Sequence, residues 1–210
     1  MSYYNSKDTS ALIYYEFKLI LLGDSGVGKT SLLNRYMDQP FIFNQSCTVN
    51  VDFKIKSLKI DKYTSAKITI WDTCGQEKYR SMTFLYFKDA QGIILLYDVT
   101  DKESFDNLII WLEEIEKKIL KEDISIIIVG NKIDLNDRNV SYEEAKNFAE
   151  NKGIMYCETS CKDGINIGTA FEMVTKDIVN KLNINDSKMT SSASSVKAVK
   201  GGMKNELNCC

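Results

Sequence analysis

The sequence predicts an α/β domain with a doubly wound, mostly parallel six-stranded sheet and helices on both faces, and three observations lead there. Apolar strand patterns alternate with amphipathic helical patterns across residues 16–182. A glycine-rich turn, Gly23-Asp24-Ser25-Gly26-Val27-Gly28, lies between the first strand and the first helix. With 210 residues, 44% of them hydrophobic, and one proline, the chain can build one sizeable, helix-rich core. No segment repeats, so the alternation describes one domain rather than a solenoid.

The first strand is Phe17-Lys18-Leu19-Ile20-Leu21-Leu22, and the helix after the turn carries Leu32, Leu33 and Tyr36. A loop near residues 38–49 leads to strand patterns at 51–60 and 66–72. Their connection, Asp61-Lys62-Tyr63-Thr64, is so short that the pair must be antiparallel. Val51, Phe53 and Ile55 alternate with Asp52, Lys54 and Lys56, but Leu58 and Ile60 shift the phase, which predicts a bulge or twist. Buried strands are expected at 92–97, 125–129 and 154–157, with helices at about 104–120, 141–151 and 166–182. In the 104–120 helix, Trp111, Ile115 and Ile119, with Phe105 and Leu108, form a stripe whose expected role is core packing. Periodicity stops near Asn183. The predicted organisation is therefore an extension over 1–15, a globular domain over 16–182, and a flexible tail over 183–210.

Composition narrows the function. A net charge of -2 without a lysine- or arginine-dense stripe argues against binding nucleic-acid phosphates. No apolar run approaches the ~18–20 residues of a membrane span, the opening residues have no signal-peptide core, and Ser2 replaces the glycine of a myristoylation motif. The six cysteines show neither disulfide nor zinc spacing, and there is no histidine for a metal site or a catalytic pair. A reducing, cytosolic compartment is the expectation.

Gly23 to Thr30 fits G-x-x-x-x-G-K-[ST] in full, between a strand and a helix as the chemistry requires. Backbone amides of Asp24, Ser25, Gly26, Val27 and Gly28 can cradle phosphates, Lys29 can reach the β/γ oxygens, and the Thr30 hydroxyl can ligate Mg²⁺. At the end of the third strand, in Trp71-Asp72-Thr73-Cys74-Gly75-Gln76-Glu77, Asp72 is suited to hold Mg²⁺ directly or through water. The Gly75 amide suits a γ-phosphate, and Gln76 can orient an attacking water. Thr48, in the loop after the first helix, can give its hydroxyl to Mg²⁺ and its amide to the γ-phosphate, contacts that vanish when that phosphate leaves.

Asn131-Lys132-Ile133-Asp134 follows a buried strand, in the crevice where ligands of α/β sheets sit. The Asp134 carboxylate can accept from N1–H and the exocyclic amine of guanine, whereas adenine offers a bare acceptor and would leave that carboxylate unpaired. Ser160, Cys161 and Lys162 form a third segment in which the Cys161 amide can meet the guanine O6 and the Lys132 and Lys162 stems can flank the ring.

The set GDSGVGKT, Thr48, WDTCGQE, NKID and ETSCK resembles the small GTPases of the Ras superfamily, and the Rab family in particular. Thr48 to Ile55, Lys78-Tyr79-Arg80-Ser81 and Tyr97-Asp98-Val99-Thr100 resemble the Rab stretches beside the switches, and Cys209-Cys210 resembles the doubly geranylgeranylated Rab end. The resemblance implies the P-loop small GTPase fold, GTP or GDP bound with Mg²⁺, slow regulated hydrolysis and a role in vesicle-mediated traffic. It implies an exchange factor, a GTPase-activating protein, a GDP-dissociation inhibitor, a prenylation escort and transferase, and switch-binding effectors as partners, with a monomeric G domain. It also implies residence on the cytoplasmic face of an internal membrane or transport vesicle, with a soluble cytosolic pool. Phe41 takes the family's aromatic position against the base edge, and Phe53, Trp71 and Tyr86 match its effector-facing aromatic triad.

The chain departs from the Rab pattern at Asn50, where glycine is usual, and at Cys74 and Cys161, where alanine is usual. Cys161 is expected to act through its backbone alone. Cys74 adds a thiol beside Gln76, which keeps open the alternative of a GTP-dependent binding module with negligible hydrolysis. A P-loop phosphotransferase would need arginines around the travelling phosphoryl group, and the chain has only Arg35, Arg80 and Arg138.

Overall fold

A computed structural model describes residues 13–43, 51–60, 62–73, 89–118 and 124–191. Six strands form one sheet: Ile13–Leu22 (β1), Asp52–Lys59 (β2), Thr64–Asp72 (β3), Gly92–Asp98 (β4), Ser125–Asn131 (β5) and Met155–Glu158 (β6). Their order is β2-β3-β1-β4-β5-β6. Only the β2–β3 pair is antiparallel, as its short connection requires; the other four pairings are parallel. Strand order reverses around β1, so the crevice at the carboxyl ends of β1 and β4 is where a ligand of such a sheet binds.

The helices are Lys29–Tyr36 (α1), Lys102–Asp106 (α2), Leu108–Lys118 (α3), Tyr142–Asn151 (α4) and Ile167–Ser191 (α5). The two-residue period of the strands divides the core into two layers. Ile94 and Leu96 of β4 face one side, with Leu32 and Leu33 of α1 and Phe171 and Val174 of α5. Ile93, Leu95 and Tyr97 face the other, with Leu108, Trp111 and Ile115 of α3 and Ala145 and Ala149 of α4. Burying each such large apolar side chain stabilises the fold by about 1.5–3 kcal/mol. The Trp111 stripe packs as the spacing predicts; Ile119 lies outside the described residues.

Three sequence expectations change. The β2–β3 ladder runs without a bulge from Asp52↔Asp72 to Lys59↔Ser65. Leu58 and Ile60 pack on the core, and Lys54 and Lys56 share their face, while Phe53 and Ile55 stand exposed on the other. Lys56 can face inward because its ammonium lies over the Tyr36 ring, 4.4 Å from the centroid, and donates to the Tyr36 carbonyl and, at 3.0 Å, to Asp38.

The single helix expected at 104–120 is two helices. Asp101 caps α2, accepting from the amides of Glu103 and Ser104, and Asn107 stands between α2 and α3. Finally, α5 continues to Ser191, past the end of the apolar periodicity near Asn183. Once a packed helix exists, further turns add one hydrogen bond per residue without a new nucleus, so the helix need not stop where the apolar stripe stops.

Candidate nucleotide site

The turn after β1 requires glycine at two places. Gly23 has φ +129°, and a Cβ there would lie 2.2 Å from the Leu96 carbonyl oxygen. Gly28 begins α1 at φ +100°, and its Cβ would meet the Asn131 amide nitrogen at 2.3 Å. The chain therefore passes close to both β4 and the end of β5 before entering the helix.

Lys29 is 5% exposed, and a lysine so buried needs partners. Its ammonium donates to the carbonyls of Gly23 at 2.8 Å and Asp24 at 2.7 Å. The Thr30 hydroxyl donates to Asp72 Oδ2 at 2.6 Å. Asp72 is 2% exposed, and burial raises its pKa, opposed by the Thr30 hydrogen bond and the charge of Lys29. Its Oδ1 is buried with no hydrogen-bond partner. A hydroxyl beside a carboxylate with one unsatisfied oxygen is an all-oxygen donor set, which fits a hard cation such as Mg²⁺.

Asp24 turns its carboxylate away from the turn. Asn107 Nδ2 donates to Oδ2 at 2.7 Å and Trp111 Nε1 to Oδ1 at 2.8 Å, so Asp24 offers the crevice its backbone. Ser25 and Gly26 are exposed at the crest, and the buried Val27 turns its side chain to the core. Neither Asn107 nor Trp111 was recognisable beforehand as part of the site. The only signal was an indole N–H on a core-facing stripe, which needs an acceptor when buried.

At the other end, Phe41, Asn131, Lys132, Asp134, Cys161 and Lys162 line one cavity of ≈ 320 Å³. Asn131 is 1% exposed; its Nδ2 donates to the Val27 carbonyl at 2.9 Å, and its Oδ1 accepts from Thr159 Oγ1 at 3.1 Å and Cys161 Sγ at 3.3 Å. The expectation that Cys161 acts only through its backbone is thus incomplete, because its thiol helps fix Asn131. Burial pushes that thiol up to about 12, keeping it protonated. Ser160 Oγ donates to Asp134 Oδ1 at 2.7 Å, and Lys162 Nζ stands 3.8 Å from Oδ2. Lys132, at φ +69°, reaches back to Asp98 Oδ2 at 2.6 Å.

Phe53 and Trp71 stack across β2 and β3 with centroids 5.3 Å apart, and Phe53 is half exposed. Thr48, Asn50, Cys74, Gly75, Gln76, Tyr86, Cys209 and Cys210 lie outside the described residues. Among the described residues no cluster of His, Cys, Asp and Glu suggests another metal centre, and no helix is long and apolar enough to cross a membrane.

Comparison with known proteins accords with this arrangement. Residues 18–180 match the family model described as Ras family. The chain is 41% identical over 199 residues to the GTP-binding protein ypt1 of Schizosaccharomyces pombe, covering 93% of this chain and 97% of that protein. It is 42% identical over 193 residues to human Ras-related protein Rab-8B, covering 90% and 92% of the two chains. It is 46% identical over 167 residues to Ras-related protein Rab-1D of Dictyostelium discoideum, covering 79% and 81%. With its sheet order, its phosphate turn and these relatives all in agreement, the chain belongs to the Ras family, as a Rab-type small GTPase that binds and hydrolyses GTP in vesicle transport.

Proposed function

We propose that this chain holds GTP or GDP with Mg²⁺ between the turn after β1 and the cavity at the ends of β5 and β6, and that each end has a separate task. The observation that carries the reading is the Asn131 side chain, which donates to the Val27 carbonyl at 2.9 Å and so ties the base segment to the phosphate turn. One bound molecule can then be gripped at both ends by a single rigid unit. Amides of residues 24–28 and the Lys29 ammonium would neutralise the phosphates, Thr30 and Asp72 would ligate the metal, and Asp134 would accept from the guanine edge. Phe41, Ser160, Cys161 and Lys162 would line the base.

In this reading Thr48 and Gly75 hold the γ-phosphate and Gln76 orients the attacking water, an assignment supported by their motifs. Thr30 and Asp72 would hold Mg²⁺, which would supply charge for the phosphate oxygens, and the Lys29 ammonium would turn from the Gly23 and Asp24 carbonyls to the same oxygens. Hydrolysis would be slow without a partner's arginine, which can contribute on the order of 10³–10⁵ in rate. The stacked Phe53 and Trp71, with Tyr86, would form the effector surface. Cys209 and Cys210 would each carry a prenyl chain, because a single chain gives only marginal binding, and would anchor the domain to the cytoplasmic face of an internal membrane. Exchange factor, GTPase-activating protein, dissociation inhibitor and prenylation machinery are the expected regulators.

Calorimetric titration with GDP, GTP and ATP in the presence of Mg²⁺ tests the base assignment. Asp134→Asn should lower guanine affinity and raise that for xanthine nucleotides, since xanthine presents an acceptor where guanine presents an amine. Comparable ATP and GTP affinities in the natural protein would overturn the assignment.

A further inference from the structure

Phe43 is 70% exposed, the highest exposure among the described large hydrophobic side chains. One exposed aromatic is ordinary by itself. Three contacts set this one apart. It lines the base cavity together with Asp134. Its ring meets Phe41 edge-on, with centroids 5.1 Å apart and an interplanar angle of 82°, a favourable aromatic geometry. The Lys162 ammonium, from the loop between β6 and α5, lies 5.9 Å from its ring centroid, at the outer limit of a cation–π contact.

Phe41 and Phe43 follow α1, whereas Lys162 lies on the opposite wall, 3.8 Å from the Asp134 carboxylate. The Phe43 ring therefore stands at the edge of the cavity, between Phe41 and the Lys162 ammonium. An apolar ring left open to water gains free energy when a ligand covers it, and that gain is lost again when the ligand leaves.

We infer that Phe43 controls nucleotide release: with Lys162 it closes the mouth of the base cavity over a guanine nucleotide, which in turn covers its exposed ring. This rests on the assignment of the cavity to guanine. The aromatic base contact of the resemblance is Phe41, which packs against the core; Phe43 adds an outer closure that can open without disturbing it.

The test follows release of radiolabelled GDP from the Mg²⁺-loaded protein into excess unlabelled GDP. Phe43→Ala should speed release by about 5- to 10-fold, and Phe43→Leu by less, because it keeps apolar cover. In a Lys162→Gln background the Phe43→Ala effect should shrink, a coupling that general loosening of the loop would not produce. A Phe43→Trp variant should lose indole emission on GDP loading, relative to the natural protein, and regain it when nucleotide is stripped with EDTA. Release within about twofold of the natural rate in Phe43→Ala, or Phe43→Trp emission indifferent to loading, overturns the inference alone. Failure of the natural protein to bind GDP overturns the guanine assignment and this inference with it.

Discussion

At the phosphate end, Lys29 donates to carbonyls of its own turn and Thr30 donates to Asp72, whose second oxygen is buried without a partner. At the base end, Asn131 has partners on both its nitrogen and its oxygen, and Asp134 is met by Ser160 and Lys162. In the proposed reading the Lys29 contacts to neutral carbonyls would give way to stronger charged ones when phosphate arrives, and the open Asp72 oxygen would take up metal. The base end is already tied into the fold by its own hydrogen bonds through Asn131. On that reading a base end so held would give identity, while the exchangeable phosphate end would respond to which phosphate is present.

The largest way to break this contrast is Lys29→Ala. It removes a buried cation from the phosphate end, and affinity for GTP and GDP should fall on the order of 10²–10³-fold. Because the base end is untouched, the ratio of GTP to ATP affinity should persist, which parallel calorimetric titrations measure directly. A collapse of that ratio would mean that the two ends do not act separately.

A middle-sized effect is expected from Trp111→Phe. The ring stays in the core, but the Asp24 carboxylate loses a donor at 2.8 Å and the phosphate turn loses one of its braces. The cost should be about 1–2 kcal/mol, read as GDP affinity weakened about 5- to 30-fold with little change in the melting temperature of the nucleotide-free protein. An equal loss of melting temperature without loss of affinity would reduce the contact to ordinary packing.

The smallest effect should come from Cys161→Ala. Asn131 keeps Thr159 and the Val27 carbonyl, so GDP affinity should stay within about threefold. The same burial holds the thiol at about 12, above its usual value, so its reactive thiolate forms only as pH rises towards that value. At neutral pH, iodoacetamide should therefore label Cys161 slowly, as peptide mass mapping would show. Rapid labelling would mean that the base end opens more readily than its hydrogen bonds suggest.

The parts of the site legible in the sequence are those whose chemistry is local. Gly23 to Thr30 prescribes a turn, because glycines permit positive φ and the following helix presents its amides regardless of the rest of the chain. Asn131 and Asp134 after the buried β5, and Ser160, Cys161 and Lys162 after the half-buried β6, were expected together as short segments, and Asn131, Asp134, Cys161 and Lys162 do line one cavity. Alternation of strand and helix was enough to fix a mostly parallel sheet and its antiparallel edge, since short connections leave no other geometry.

Tertiary structure alone decided what depends on contacts far apart in the chain. The face of β2 that turns inward carries Lys54 and Lys56 beside Leu58, and Lys56 can lie there because the ring and carbonyl of Tyr36 receive its ammonium; the alternation alone named no face. The division of α2 from α3 at Asn107 goes with a hydrogen bond to Asp24, 83 residues away in sequence, and Trp111 reaches the same carboxylate across 87. The pairing of Lys132 with Asp98 and the exposure of Phe43 at the cavity mouth were hidden for the same reason. Residue type and spacing determine which groups a segment can offer, but a buried polar group takes whichever partner packing brings within about 3 Å, and that choice is made only when the sheet and its two helical layers close together.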